Sequence, residues 1–406
     1  MNILVVNRGS STIKCFLYQF TDFSHEDIKP FWEAELEWKN AFEEAHLSVK
    51  NGKGLEHEEA IREKDPKKAL KYLVSFLFQG KVAVLKALNE IDVIGHRIVH
   101  GGKYFHSSVH ITEEVKEKIR LLAPLAPLHN LPELEAVEIL ETLLPNIPQI
   151  AVFDTAFHHT LPKAAQIYPI PYKWVEEGIR RYGFHGISFQ YCAKRGAVML
   201  NAAPDDLKMV ICHLGSGASL CAIQNGKSID TTMGFTPLDG LMMDTRSGSI
   251  DPGIILYLLE NKKKSVQEIS HELYEESGLL GISGNSGDMR DIIKKHLEGD
   301  LRATMALDIY IHTLNGFIAK MIASLKGIDL LIFTAGIGEN TPLIRERVCE
   351  TFSFLNMELD KTKNSQNSLE DREISTPDSK VKILVIHTKE AFEIASACWK
   401  EAQSSC

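Results

Sequence analysis

Apolar residues recur along the chain with two different spacings. Short runs rich in β-branched and aromatic residues at 3–6, 13–18, 91–94, 149–153, 208–212, 219–223, 329–333 and 382–386 predict strands. Patterns of helical period near 67–89, 132–144, 186–200, 299–326 and 390–402 alternate with them. Such alternation predicts an α/β chain with largely buried mixed sheets. The charged stretch Lys50–Lys68, which contains HEEAIREKDPKK, has few apolar residues and reads as a solvated surface connection.

Three of the predicted strands run into glycine-bearing turns. Val6–Phe16 reads VNRGSSTIKCF, an apolar strand, a Gly/Ser/Thr turn and a second apolar strand. A P-loop would need a second Gly followed by Lys and Ser/Thr at the start of a helix, so that reading fails. A tight hairpin, or a turn whose amides and hydroxyls face an anion, both remain open. Residues 209–223, MVICHLGSGASLCAI, repeat the strand, turn and strand about half a chain later, as an internal duplication would place them. Residues 330–348, LLIFTAGIGENTPLIRERV, run from a strand through Gly336, Ile337, Gly338, Glu339 and Asn340 into a helix. There glycine permits close approach of a nucleotide, and a plain β-turn-α connection is the alternative.

Composition narrows what these turns can serve. The chain of 406 residues carries 45 Lys plus Arg against 54 Asp plus Glu, a formal charge of −9. No global attraction to nucleic acid or an anionic membrane follows, so an anionic ligand must be met by a local basic cluster. The seven cysteines (15, 192, 212, 221, 349, 398, 406) form no CxxC pair and several lie in apolar runs. They read as reduced core thiols. With no apolar run of 18 residues and a strand at the very start, a soluble cytoplasmic protein is expected.

Basic residues beside glycine recur in GHRIVHGG (95–102), RRYGFHG (180–186) and MDTRSG (243–248). The first follows a predicted strand and reads as a turn. Arginine presents a planar donor fork suited to carboxylate or phosphate, so several such loops point to a small polyanionic ligand. Asp154 ends the predicted strand 149–153, where open α/β sheets place ligand sites, and Glu390 follows another strand. Two strand-end acids suit Mg²⁺, which takes one or two carboxylates plus water and phosphate, although each also reads as a helix cap. His158 and His159 are adjacent and point in different directions, which favours packing or surface roles over a metal site.

Taken together, NRGSSTIK, GHRIVHGG, APLHNLP, FDTAFH, RRYGFHGISFQY, HLGSGASL, DTTMGFTPLDGLMMDTRSGSIDP, SGLLGISGNSGDMR, FTAGIGEN and TKEAFEIA make the chain similar to the acetate kinase family. That family lies within the acetate and sugar kinase, Hsp70 and actin superfamily, and the resemblance covers nearly the whole length. It implies two duplicated ribonuclease-H-like domains with mixed central sheets and an active site in the interdomain cleft. The first domain would span 1–153 plus 391–406, closed by the C-terminal helix, and the second, 154–390, would bind nucleotide and dimerise. It also implies ATP/ADP as nucleotide, Mg²⁺, acetate and acetyl phosphate as substrates, and a homodimer.

Residue by residue, the resemblance places Asn7, Ser10, Thr12 and Lys14 in a first phosphate region. His213, Leu214, Gly215, Ser216 and Gly217, with Ser219 at its end, form a second. Asp288, Met289 and Arg290 with Gly336, Ile337, Gly338, Glu339 and Asn340 would surround the nucleoside. Arg97 and Arg246 match the arginines that embrace the acyl carboxylate and the moving phosphoryl group, with His129 and His185 beside them. Val99, Leu128, Phe184 and Pro237 fall where the family builds its small methyl pocket. Asp154 and Glu390 match its acidic pair, and Asn7 with Glu390 would attend the metal.

The chain departs from the family pattern at several of these places. Ser216 replaces a usual Asn, Arg8 a small residue, Thr12 a Ser, Asp244 a Gly and Ser249 an Asp, while Lys389 and Ala391 flank Glu390. Arg8 is expected to lend a charge near the phosphates, and Asp244 to pair with Arg246. The implied chemistry is direct in-line phosphoryl transfer. A propionate or butyrate kinase and a non-catalytic ATP-binding regulator stand as alternatives.

Overall fold

The computed structural model describes residues 1–9, 11–21, 28–39, 44–127 and 129–404. Ser10, Leu128 and Cys406 therefore lie outside the described residues. The chain divides into two compact units, residues 1–157 with 389–406 and residues 158–388.

The first unit is built on an eight-stranded sheet. Its strands are β1 (Asn2–Arg8), β2 (Thr12–Gln19), β3 (Trp32–Lys39), β4 (Glu44–Asn51), β5 (Glu56–Ile61), β6 (Val93–Ile98), β7 (Val109–His110) and β8 (Gln149–Phe153). They stand in the order β5-β4-β3-β2-β1-β6-β8-β7. β1, β6 and β8 run parallel, and the long meander from β1 to β5 is antiparallel. Helices α1 (Pro66–Ser75), α2 (Glu113–Leu122), α3 (Asn130–Leu143) and the C-terminal helix Glu390–Ser404 complete it.

Three expectations need correction here. The Lys50–Lys68 stretch is not simply a connection, because Glu56–Ile61 pairs with β4 from Lys50↔Glu56 to Ala45↔Ile61. Alternate residues of β5 are exposed, so acidic side chains occupy the solvent face of an edge strand and discourage further pairing. The helix expected over 67–89 ends at Ser75. Most consequentially, Gly95–Ile98 is strand and not turn.

That strand explains which way each side chain of GHRI points. Strand alternation sends His96 and Ile98 to one face and Gly95 and Arg97 to the other. His96 meets Gln149 at 2.6 Å, and burial pushes its imidazole down to about 4. Ile98 joins Leu134 of α3 in the core. On the opposite face a methyl group at Gly95 would stand 2.5 Å from Cys398 Sγ and 2.9 Å from Ile394 Cγ2, so glycine admits the C-terminal helix against β6. Arg97 shares that face.

The second unit repeats the plan with a six-stranded sheet. β9 (Met209–Leu214), β10 (Ala218–Gln224), β11 (Lys227–Thr231), β12 (Leu330–Thr334), β13 (Arg372–Glu373) and β14 (Lys382–Val385) stand in the order β11-β10-β9-β12-β14-β13. β9, β12 and β14 are parallel, and β9 turns back antiparallel into β10. The run β3-β2-β1-β6-β8 therefore has its counterpart in β11-β10-β9-β12-β14, and the two Gly/Ser turns occupy equivalent β1–β2 and β9–β10 positions. Helices α4 (Gly186–Met199), α5 (Pro252–Glu260), α6 (Met289–Leu297), α7 (Leu301–Leu325), α8 (Ala335–Asn340) and α9 (Pro342–Thr351) are those that bear on the site.

Candidate active site

In the first unit the site is organised by an ion pair. Arg97 Nε donates to Asp154 Oδ1 at 3.1 Å and Nη2 donates to Oδ2 at 2.6 Å, with Asp154 only 1% exposed. β6 supplies the arginine and the residue after β8 supplies the acid, because those strands are parallel neighbours in register Ile98↔Phe153. Arg97 Nη1 also reaches Asn7 Oδ1 at 3.5 Å. Burial opposes the arginine charge, yet Asp154, Glu390 and Glu133 together raise its affinity for the proton. The result is a permanently cationic group held in place by a carboxylate that has both oxygens occupied.

The segment after β6 is held by α3. Val99 N donates to Glu133 Oε2 at 3.0 Å, while His100 N donates to Asn130 Oδ1 and Asn130 Nδ2 returns a bond to His100 O, each at 3.1 Å. Glu133 N in turn donates to His129 O at 3.0 Å, one helical turn back. Arg97, Val99, His129, Asp154 and Asn7 are thus tied together within one unit.

The β1–β2 turn is a hairpin, closed by Gly9 N donating to Thr12 O at 2.8 Å. Lys14 is the register partner of Asn7, and its amine sits 2.8 Å from Glu35. Arg8 lies one residue after Asn7 and so on the other face. It stacks 5.1 Å over the Trp38 ring, and burial lowers its affinity for the proton. The expectation that Arg8 replaces a phosphate-binding charge is overturned by strand alternation.

In the second unit the β9–β10 turn is the centre. A methyl group at Gly217 would stand 3.5 Å from His185 Nε2 and 3.7 Å from Arg246 Nη1. One at Gly215 would stand 3.5 Å from Ala335 Cβ and 3.9 Å from His213 Nε2. The turn therefore gathers His185, His213, Arg246 and the start of α8. His185 shares a 2.8 Å hydrogen bond with Ser219 through Nδ1 and stacks on His213 at 4.1 Å, and His213 in turn bonds Ser188 Oγ at 2.8 Å.

Backbone strain concentrates at the same place. His185 has φ 56° and Ala335 φ 64°, left-handed conformations that cost a non-glycine residue. Ala335 is held there by its own N–H donating to Glu339 Oε1 at 2.8 Å. Arg345, fully buried, donates from Nη1 to Gly338 O and Glu339 O and so caps the end of α8. Neither Ala335, Ser188, Arg345 nor Glu133 was named from sequence. Only the positive φ and the buried contacts reveal them.

Several expected contacts take a different form. Leu214 and Met289 are buried at 0% and 3%, and Gly338 is buried inside α8, so none of the three presents a side chain to a ligand. Ile337 is half-buried, Gly336 and Asn340 are exposed, and Asn340 Nδ2 donates to Gly336 O at 2.9 Å. Asp288 caps α6, and Arg290 folds back onto it with Nε 3.0 Å from Oδ1. Burial holds the Asp244 carboxyl above the usual range, against the opposing influence of Ser216 and Arg246. Arg246 Nη1 is left with a 3.4 Å bond to Pro237 O.

Phe184 is 1% exposed, and His158 Nε2 bonds its carbonyl at 2.9 Å while Nδ1 meets Ser228 Oγ at 2.8 Å. Burial pushes His158 down to about 4, so it is a neutral packing residue. Arg181 donates to Thr232 O and Met233 O at 2.6 and 3.0 Å and thus stitches the second unit together, with no capacity left for a polyanion at that atom.

Comparison with known proteins decides among the readings. The sequence model of the acetokinase family matches residues 2–396. The chain belongs to the acetokinase family. An acetate kinase of Nostoc punctiforme is 50% identical over 402 residues, covering 98% of this chain and 99% of that protein. The crystal structure of Porphyromonas gingivalis acetate kinase superposes with a TM-score of 0.90 at 37% identity, covering 99% of each chain. A propionate kinase from Francisella tularensis superposes with a TM-score of 0.88 at 37% identity, covering 98% of each. In this acetokinase-family chain, as in the duplicated fold those structures share, the β1–β2 and β9–β10 turns are equivalent positions of two related sheets.

Proposed function

We propose that this chain is an acetate kinase, which moves a phosphoryl group reversibly between ATP and acetate to give ADP and acetyl phosphate. The observation that carries the reading is the β9–β10 turn, where Gly217 leaves open the space beside His185 Nε2 and Arg246 Nη1. Glycine amides, an imidazole and a guanidinium around one opening suit a phosphate anion. We assign that turn, with Asp288–Arg290 and Gly336–Asn340, to the nucleotide. Arg97, Val99 and His129 of the first unit are assigned to the acyl group.

Acetate is already ionised at neutral pH, so the acceptor needs no strong general base. Phosphoryl transfer is then a matter of positioning and charge neutralisation. Asp154 fits this: both its oxygens are occupied by Arg97, and it orients the guanidinium instead of taking a proton. The step is written as direct attack of the acetate oxygen on phosphorus, which forms one O–P bond as that to ADP breaks. A kinetically competent phosphoenzyme would exclude it.

Asn7 and Glu390 supply only oxygen donors, the ligand type Mg²⁺ takes, in company with water and phosphate. Among the described residues no group of three or more His, Cys, Asp or Glu side chains could hold a metal, so an ion here would depend on the nucleotide for most of its ligands. Bound there, Mg²⁺ would supply neutralisation of phosphate charge.

A propionate or butyrate kinase is the second reading, because one methylene in an apolar pocket discriminates by only ~1–3 kcal/mol. Turnover with ATP and Mg²⁺ against acetate, propionate and butyrate, followed as acyl hydroxamate, tests both. The highest kcat/KM is expected with acetate, and absence of acyl phosphate from all three would leave only a nucleotide-binding regulator.

The partner is proposed to be a second copy of the chain. α5 exposes Ile254, Leu256 and Tyr257 at 46%, 59% and 52%, and α7 exposes Leu301 and Met305 at 83% and 56%. So much apolar surface on two helices suits an obligate interface. Sedimentation equilibrium is expected to give twice the chain mass, and Leu256→Asp to shift it toward one. A monomeric wild type would reject the proposal. A reducing cytoplasmic location is proposed from the six described cysteines, all buried and free. Among the described residues no helix is long and apolar enough to cross a membrane.

A further inference from the structure

Glu133 is an unusual group to find beside an acyl-binding arginine. It lies on the first turn of α3, 1% exposed, with Oε2 taken by the Val99 amide. Its second oxygen, Oε1, is buried with no hydrogen-bond partner among the described residues. An ionised carboxylate would be poorly served there, since burying a charge without partners is costly. A neutral carboxyl needs less, because one oxygen carries the proton. Burial accordingly pushes the group up to about 8, against the opposing pull of the Val99 amide and Arg97.

We propose that Glu133 is a proton-bearing positioning residue of the acyl site, whose neutral carboxyl holds Val99 in place and whose ionisation weakens acetate binding at Arg97. The inference rests on the assignment of Arg97 and Val99 to the acyl group. When the proton leaves Glu133, a negative charge appears within the electrostatic reach of Arg97, on which Glu133 acts together with Asp154 and Glu390. That charge offsets part of the field an incoming carboxylate would meet. The unpartnered Oε1 is also the atom able to carry the proton while Oε2 continues to accept from Val99.

Other charged and titratable groups surround Arg97 and Glu133. Arg97 on β6 stays cationic, and Asp154 after β8 is held by it. His129 opens the same helix and His100 follows Val99, while Glu390 acts on Arg97 from the C-terminal helix. Glu133→Gln leaves all of these groups in place, so it removes only a titration that belongs to Glu133 itself.

The test is the pH dependence of the acetate KM, measured from pH 6.5 to 9.5 for wild type and Glu133→Gln, with the ATP KM as control. For wild type the acetate KM is expected to rise roughly fivefold or more above pH 8, as one charge is added near Arg97. The ATP KM is expected not to follow, and Glu133→Gln to flatten the acetate profile. A flat wild-type profile, or an unchanged rise in Glu133→Gln, would overturn the inference while leaving the kinase assignment standing. Absence of acetate turnover at every pH would instead overturn that assignment.

A stability measurement reads the proton without turnover. The folded group lies near 8 and its ordinary value is 4.5, so the folded state binds the proton more tightly. Its contribution is present at low pH and is lost as pH rises from about 4.5 to about 8. In urea denaturation, wild type is expected to lose stability relative to Glu133→Gln over that window. Parallel curves would count against a buried proton. Should Glu133→Gln fail to fold, the wild-type KM profile alone decides.

Discussion

Arg97→Ala is expected to lower kcat/KM for acetate by roughly a thousandfold and to destabilise the first unit as well. The guanidinium is the group we assign to the acyl carboxylate, and loss of one preorganised charged donor costs on the order of 10²–10³ in turnover. The structural cost has a separate origin. Asp154 is 1% exposed and both of its oxygens receive hydrogen bonds from Arg97. Removal of the arginine takes both of those bonds from a buried carboxylate, at about 3–5 kcal/mol.

The two effects separate in a second variant. Arg97→Ala with Asp154→Asn removes the stranded charge, so thermal stability is expected to return in large part while activity stays low. Steady-state kinetics with acetate and thermal unfolding followed by circular dichroism check both. An Arg97→Ala enzyme within tenfold of wild type would sink the assignment of this arginine. Recovery of activity in the double variant would show that the loss was one of folding.

Arg246→Ala is expected to behave differently. Turnover should fall by on the order of 10²–10³, since a charge aimed at the moving phosphoryl group is lost. Nucleotide affinity should change only a few-fold, because the β9–β10 turn, Asp288 and α8 remain. Stability should also survive, within about 1 kcal/mol. Among the described residues the guanidinium spends one 3.4 Å bond on Pro237 O, and burial lowers its hold on the proton. It is an underused cation, where Arg97 is a saturated one. Binding of ADP by calorimetry, set beside kcat, makes the distinction. Loss of ADP binding with little further loss in kcat would move Arg246 from the phosphoryl group to the nucleotide.

Much of the site could be read in the sequence because its chemistry is written in unusual residue types at turns. An arginine beside glycine, an acid at a strand end and a Gly/Ser turn between apolar strands each signal a ligand even before their positions are known. The second Gly/Ser turn was legible as an echo of the first, and β9–β10 does occupy the place of β1–β2. The strands β3 and β4 left a signal too. Trp32, Ala34, Leu36 and Trp38 alternate with polar residues and are all buried, a period of two that the charged neighbours Glu33, Glu35 and Glu37 obscure.

Other features have no local signature. GHRI looks like a turn because glycine and charge dominate it, yet parallel neighbours on both sides draw it into β6. Arg8 reads as a phosphate ligand by sequence distance alone, and only the alternation of β1 sends it to Trp38. Glu133 looks like an ordinary acid in a helical first turn. What makes it chemically distinct is burial against Val99 and the field of Arg97, brought to it from β6 and the residue that follows that strand.

The amino-acid sequence by itself determined the α/β class, the repeated turns, the family and the residue types of the chemistry, because periodicity and motif are local properties of the chain. Tertiary structure alone decided which arginine is saturated by a carboxylate, which is left with a single weak acceptor, which backbone positions are strained and which carboxyl keeps its proton. Those properties depend on burial and on partners brought from distant segments, and no spacing along the chain encodes them.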